Sequence, residues 1–166
     1  MSCGLVVRYR LKSKPDSFEF GNANMSGARN GLAFLKQMIK FRTEAKSFEN
    51  VLQGVRVVGG GDGKCTCEMT VMEEHQNAGG TLHGGVTATL VDAISTWALM
   101  TTPREVPGVS IDLSVSFMKP VRVGEDIVID ADTLKVGKTL AFCSVDIKLK
   151  STGSLVAQGK HTKYVG

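Results

Sequence analysis

The stretch Val86–Met100 constrains this chain more than any other. Val86, Leu90, Ala93, Ile94, Trp97 and Ala98 recur at helical spacing and cover most of the helix circumference. A helix apolar nearly all round cannot lie on a surface; other structure must wrap it. Nor can it cross a bilayer, because it falls short of about 20 apolar residues and carries Thr87, Thr89, Asp92, Ser95 and Thr96.

The rest of the chain supplies strands for the wrapping. Gly54 to Val58 reads as a strand, followed by a turn at Gly59-Gly60-Gly61-Asp62-Gly63. Cys65, Cys67, Met69 and Val71 alternate with polar neighbours in a second strand. After the helix, Val109, Ile111, Leu113, Val115 and Phe117 alternate with Ser110, Asp112, Ser114 and Ser116, the pattern of a half-buried strand. Ile127–Leu134, Thr139–Lys150 and Leu155–Val165 are three more strands, joined by tight links at Val136-Gly137-Lys138 and Ser151-Thr152-Gly153. Short links between consecutive strands predict an antiparallel sheet and an α+β fold. Ahead of these strands, Phe34, Met38, Phe41, Ala45 and Phe48 form the apolar stripe of an amphipathic helix within about Ser26–Asn50. Residues 1–25 show neither period and read as a flexible leader or a non-native extension. The domain proper is 26–166.

Composition excludes several classes. The chain has 166 residues and a net charge of +4, with nine Lys and Arg against four Asp and Glu in residues 1–50. The body is therefore nearly neutral, with no clustered basic face for a nucleic acid. One Trp and two Tyr provide no stacking platform for single strands. Four cysteines make no disulfide framework. Cys65 and Cys67, two apart, lack the spacing of a zinc or redox pair and read as small strand residues in a reducing compartment. Arg8, Arg10, Lys12 and Lys14 precede the first acid, Asp16, in the manner of an organelle transit segment, without the apolar core of a secretory signal.

The unusual residues concentrate in His75-Gln76-Asn77-Ala78-Gly79-Gly80-Thr81-Leu82-His83-Gly84-Gly85, which leads into the central helix. A helix N-terminus offers unpaired N–H groups and partial positive charge, suited to a developing oxyanion. Glycine there lets a ligand atom approach the backbone, and Asn77 could add a second donor. The plainer reading is that the glycines shape a turn and His83 caps or packs. Asp92 lies among Leu90, Val91, Ala93 and Ile94; a buried carboxylate is costly unless paired or used. It could also occupy an exposed edge of the helix. Gly84 and Asp92 are eight residues apart, or about 12 Å along one helix. Both cannot reach one reacting carbon. If both are catalytic, the site joins two chains whose helices run antiparallel, and the protein is a homodimer.

The run H-x-N-x-x-G-T-L-H-G-G-x-x-A-T-L-x-D, with Pro107-Gly108-Val109-Ser110, Gly124-Glu125-Asp126-Ile127 and Gly137-Lys138-Thr139-Leu140-Ala141-Phe142, resembles the hotdog-fold acyl-CoA thioesterases of the PaaI type. The resemblance covers about Ala28 to Gly166. It implies a hotdog fold, in which an antiparallel sheet wraps a long central helix, and hydrolysis of medium- or long-chain acyl-CoA. By the same resemblance Asn77 and the Gly84 N–H polarise the thioester carbonyl. Asp92 of the other subunit activates water, Ser110 helps to place it, and His83 supports the loop. Implied CoA contacts fall on Ser110, Asp112, Phe117, Met118, Lys119, Pro120, Val121 and Arg122, on Lys135, Val136, Gly137, Lys138, Thr139 and Leu140, and on Tyr164. Taken as single residues, Arg122, Lys135 and Lys138 at strand ends could pair with phosphates or remain solvated. Ser110, sharing a strand face with Asp112, Ser114 and Ser116, could simply face solvent.

The resemblance implies no cofactor and no metal. It suggests a homotetramer built from two dimers, a lipid-transfer-protein partner, and a cytoplasmic or mitochondrial location. Two other functions fit the same fold: acyl-thioester dehydration or hydration, and non-catalytic acyl-CoA binding.

Overall fold

The computed structural model describes residues 31–44 and 47–166. The expected leader, residues 1–25, and the helix start at Ser26 lie outside the described residues. The elements run α1 (Leu32–Glu44), a 3-10 turn (Phe48–Leu52), β1 (Arg56–Gly61), β2 (Lys64–Thr70), a second 3-10 turn (Glu73–His75), α2 (Gly84–Met100), β3 (Val109–Phe117), β4 (Asp126–Val136), β5 (Leu140–Leu149) and β6 (Leu155–Tyr164). The strands form one six-stranded sheet in the order β1-β2-β4-β5-β6-β3. Every neighbouring pair is antiparallel, and α2 packs on the sheet in the hotdog arrangement.

α2 is the core. Leu90, Val91, Ile94, Trp97, Ala98 and Leu99 are fully buried. All but Leu99 meet Cys65, Cys67 and Met69 of β2 and Ile127 and Ile129 of β4 in one apolar cluster, while Leu99 packs with Ala141, Cys143 and Val165 in a second. The polar residues that interrupt the helix pattern satisfy themselves locally. Thr87, Thr89, Ser95 and Thr96 each donate to the carbonyl four residues back, on His83, Gly85, Val91 and Asp92. The helix stops where Thr101 and Thr102 turn both their hydroxyls, at 2.7 Å, and their backbone N–H groups, at 3.0 Å, onto Ala98 O and Leu99 O, tightening the last turn around carbonyls at the helix end. A close approach of α2 to β6 depends on Gly159, since any Cβ there would collide with the Val91 side chain.

Four expectations change. Gly59–Gly61 continue β1 rather than starting the turn, because Gly59, Gly60 and Gly61 pair with Thr66, Cys65 and Lys64. The apolar stripe does not run on to Phe48, which begins the 3-10 turn and is 77% exposed. Among the described side chains of α1, Leu35, which was not part of that stripe, is fully buried in the core, and Phe34 of the stripe packs against it. Leu35 lies over Gly60, where a side chain would strike its methyl carbon.

The third change matters more for function. β3 is not half-buried in the single chain: Val109, Ile111 and Phe117 are 68%, 57% and 61% exposed. It is one edge of the sheet, whereas α1 covers β1 at the other edge, with a Gly31–Gly61 bridge. A bare apolar edge strand is a template for pairing. The fourth change is a bulge in β3 between Ser110 and Asp112. Ser110 lies opposite Lys163, and Leu113 opposite His161, on the helix-facing side; Asp112 lies opposite Thr162 on the other. The bulge therefore separates Ser110 from Asp112, Ser114 and Ser116, with which strict alternation would have grouped it.

Candidate active site

The predicted residues gather at two places. The first is the N-terminus of α2. His75 is buried; its Nδ1 accepts from Met72 N–H at 3.0 Å and its Nε2 donates to Val51 O at 3.2 Å, which fixes the tautomer. Its backbone carbonyl takes the His83 N–H at 2.8 Å, so this residue, its ring fixed in place, ties the loop to the helix start. Asn77 Oδ1 accepts from Gly79 N–H at 2.9 Å and Thr81 N–H at 3.3 Å. The carboxamide is thereby oriented, and Nδ2 has one proton on Thr81 Oγ1 at 3.1 Å and a second to offer. His83 is the N-cap, its Nδ1 accepting from Gly85 N–H at 2.8 Å. That leaves the Gly84 N–H with no acceptor among the described residues. Asn77 and Gly84 line a cavity of about 420 Å³ together with Leu82, Phe117, Met118, Lys119, Pro120 and Val121. Arg122, next in sequence, bridges to Thr81 and donates its N–H to Glu125 at 2.7 Å.

The second place is halfway along α2. Asp92 is not buried in the single chain; its side chain is 51% exposed. Its Oδ1 lies 3.3 Å from Ser110 Oγ, 3.6 Å from His161 Nε2 and 3.8 Å from Lys163 Nζ. Behind the carboxylate, Ser95 Oγ gives its proton to Val91 O at 2.6 Å. It must therefore accept from His161 Nδ1, 2.7 Å away. His161 Nε2 is then a bare acceptor 2.9 Å from Ser110 Oγ. The Ser110 hydroxyl has two acceptors for one proton, Asp92 and His161. Burial pushes the His161 imidazole down to about 4, and the Lys163 ammonium acts the same way, while Asp92 and Asp112 pull upward. At neutral pH the ring is uncharged.

The other predicted contacts border this second place. Lys135 and Val136 end β4; Gly137 N–H donates to Leu140 O at 2.7 Å, and Thr139 O accepts from Val165 N–H at 2.8 Å. Leu140 and Val109 both lie opposite Tyr164. Sequence reasoning missed three residues here. Arg104 Nη1 donates to Gly137 O and Lys138 O, both at 2.8 Å, and pins the β4–β5 turn. His161 and Lys163 occupy helix-facing positions of β6 and are buried.

The two places do not meet within one chain. They stand eight residues apart on the continuous helix α2, or about 12 Å, and at opposite ends of β3.

Comparisons with known proteins agree with this architecture. Residues 79–156 match the family described as the thioesterase superfamily. Acyl-coenzyme A thioesterase 13 of Homo sapiens is 58% identical over 132 residues, 80% of this chain and 94% of that protein. The crystal structure of zebra fish thioesterase superfamily member 2 superposes with a TM-score of 0.80 at 50% identity, covering 81% of this chain and 98% of that one. The thioesterase superfamily member 2 structure from Mus musculus gives a TM-score of 0.75 at 51% identity, covering 81% and 96%. With a sheet wrapped on one helix, a glycine-led helix start and relatives at this identity, the chain belongs to the thioesterase superfamily, the hotdog-fold thioester hydrolases.

Proposed function

We propose that the protein hydrolyses medium- and long-chain fatty acyl-CoA to the free acid and CoA, at sites shared by two subunits. The observation that carries this reading is the Asp92–Ser110 pair, held about 12 Å along α2 from the Gly84 N–H. A two-fold axis through the middle of β3, near Leu113 and Ser114, would pair the bare edges of two chains. It would carry Ser110 and Asp92 of one subunit towards Phe117 and Gly84 of the other.

In that dimer the thioester carbonyl accepts from the Gly84 N–H and the second Asn77 Nδ2 proton. Asp92 of the partner subunit takes one proton from a water molecule as its oxygen attacks the carbonyl carbon. The Ser110 oxygen accepts the water's other hydrogen, which orients the attacking lone pair. Collapse of the tetrahedral adduct breaks the C–S bond, and Asp92 returns its proton to the departing thiolate. In this reading Arg122, Lys135 and Lys138, at strand ends, would pair with CoA phosphates, and the apolar cavity wall beside Phe117 and Met118 would begin the acyl channel.

Thiol release from a panel of acyl-CoA chain lengths tests the chemistry. An enzyme that alters the acyl double bond without freeing CoA would be a dehydratase, and binding without turnover would mark a sensor. Mixing tests the assembly. Asp92→Ala and Asn77→Ala proteins should each be nearly inactive, and refolded together should recover about a quarter of the wild-type rate, since half the dimers are mixed and each has one intact site. No recovery after verified mixing would place both residues on the same chain's site.

A further inference from the structure

Lys163 is only 3% exposed, and lysine is almost never buried without a reason. Its Nζ donates to Thr96 Oγ1 at 2.7 Å. Thr96 has already given its own proton to Asp92 O at 2.7 Å, so it can only accept from the ammonium. Asp92 and Thr96 are one helical turn apart on α2, and the tether therefore holds the charge beside the carboxylate, with Nζ 3.8 Å from Oδ1.

Three groups converge on that single oxygen: Ser110 Oγ, His161 Nε2 and Lys163 Nζ. Asp92 Oδ2 has no such contact among the described residues. The side chain is half exposed while the lysine is not; the cation sits behind the anion, on the side away from solvent.

We propose that Lys163 is a positioning residue for the thioesterase reaction, a buried ammonium tethered by Thr96 that clamps Asp92 through Oδ1 and leaves Oδ2 to take the water's proton. The proposal rests on Asp92 being the base. Its second consequence concerns His161, which faces Lys163 on its own strand, Asp92 and Ser95 on α2 and Ser110 on β3, with Asp112 on the other side of β3 acting through its charge. Of the charged neighbours, only Lys163 disfavours protonation of that ring; Asp92 and Asp112 favour it. Without the ammonium, His161 gains a proton at higher pH and Ser110 loses its second acceptor.

Lys163→Met keeps length and apolar packing while removing charge. It should lower kcat roughly 10- to 100-fold, the cost of a misplaced catalytic group, with KM within about threefold and the acid limb of the kcat–pH profile moved upward. Thr96→Val, which keeps the charge and removes the tether, should give a smaller loss of the same kind. If Lys163→Met fails to fold, Thr96→Val decides, and a folded Thr96→Val enzyme with wild-type kcat overturns the proposal. So does a folded Lys163→Met enzyme with unchanged kcat and pH profile. Combining Lys163→Met with Asp92→Asn should cost no more than Asp92→Asn alone, whereas a merely structural lysine gives multiplicative losses. Asp92→Asn alone separates the two readings: full activity there refutes the base itself, while an inactive Asp92→Asn beside an unaffected Lys163→Met refutes only the clamp.

Discussion

The Ser110 hydroxyl lies 3.3 Å from the Asp92 carboxylate, tying the edge strand to the central helix across 18 residues of sequence. The β3 bulge makes this contact possible. Without the register shift after Ser110, the hydroxyl and Leu113 could not both face the helix. The pair belongs to a polar cluster with Ser95, Thr96, His161 and Lys163, and it sits where the single chain leaves Asp92 open.

Asp92→Asn should retain shape and the contact with Ser110 while losing the carboxylate proposed as the base. We expect kcat to fall by roughly 10²–10⁴, the range for general base catalysis, with KM changed far less. The melting temperature should move little, because the side chain is half exposed. Near-wild-type kcat in a folded Asp92→Asn protein would remove Asp92 from the chemistry.

The proposed dimerisation through β3 should be breakable without unfolding the chain. Ser114 is exposed and lies opposite Lys160 of β6 on the outer face. Ser114→Lys would place like charges near the proposed two-fold axis, where charge is a known deterrent to edge pairing. Sedimentation should show a shift towards monomer, with activity lost in proportion. A fully active monomer would sink the shared site.

How much of this was legible in the sequence differs from element to element. α2 and the strands β2, β4 and β5 follow from periodicity, because burial on one face writes period two and burial all round writes a continuous apolar helix; β6 follows from its apolar start and the turn before it. Asn77, His83 and Gly84 stand out by residue type. The bulge at Ser110–Asp112 leaves no mark, since the alternation of Val109 to Phe117 runs through it unbroken. His161 and Lys163 are hidden for a related reason. In Gln158-Gly159-Lys160-His161-Thr162-Lys163 no apolar residue phases the strand, so nothing says which polar side chains point inward. Arg104 acts through backbone carbonyls, which carry no side-chain signal at all.

Arg104→Ala tests the β4–β5 turn as a CoA contact. Two hydrogen bonds from one guanidinium nitrogen hold Gly137 and Lys138, and their loss frees a segment far from Asp92 in the covalent chain. KM for acyl-CoA should rise about 5- to 10-fold, the worth of roughly 1 kcal/mol or a little more for such bonds. The value of kcat should stay within about twofold. An equal fall in kcat with KM unchanged would show that the turn serves the chemistry and not CoA.

The uncharged state of His161 makes stability depend on pH. Its imidazole is depressed from 6.5 to about 4 in the folded chain, with burial as the main cause. Between those values the unfolded chain binds a proton that the folded chain refuses, so acidification favours unfolding. The stability that this one group supplies is fully present above about pH 6.5 and is lost as pH falls towards 4. The span corresponds to about 3 kcal/mol. Carboxylates titrate over part of the same range, so the comparison must be a difference. Urea unfolding of wild type and His161→Gln at pH 7.5, 6.5, 5.5 and 4.5, at one protein concentration, isolates the term. Wild type should lose more stability than the variant across this window, most steeply below pH 6. Parallel curves would mean that the buried ring takes up its proton in the folded state near the usual value, and that neither burial nor Lys163 holds it neutral.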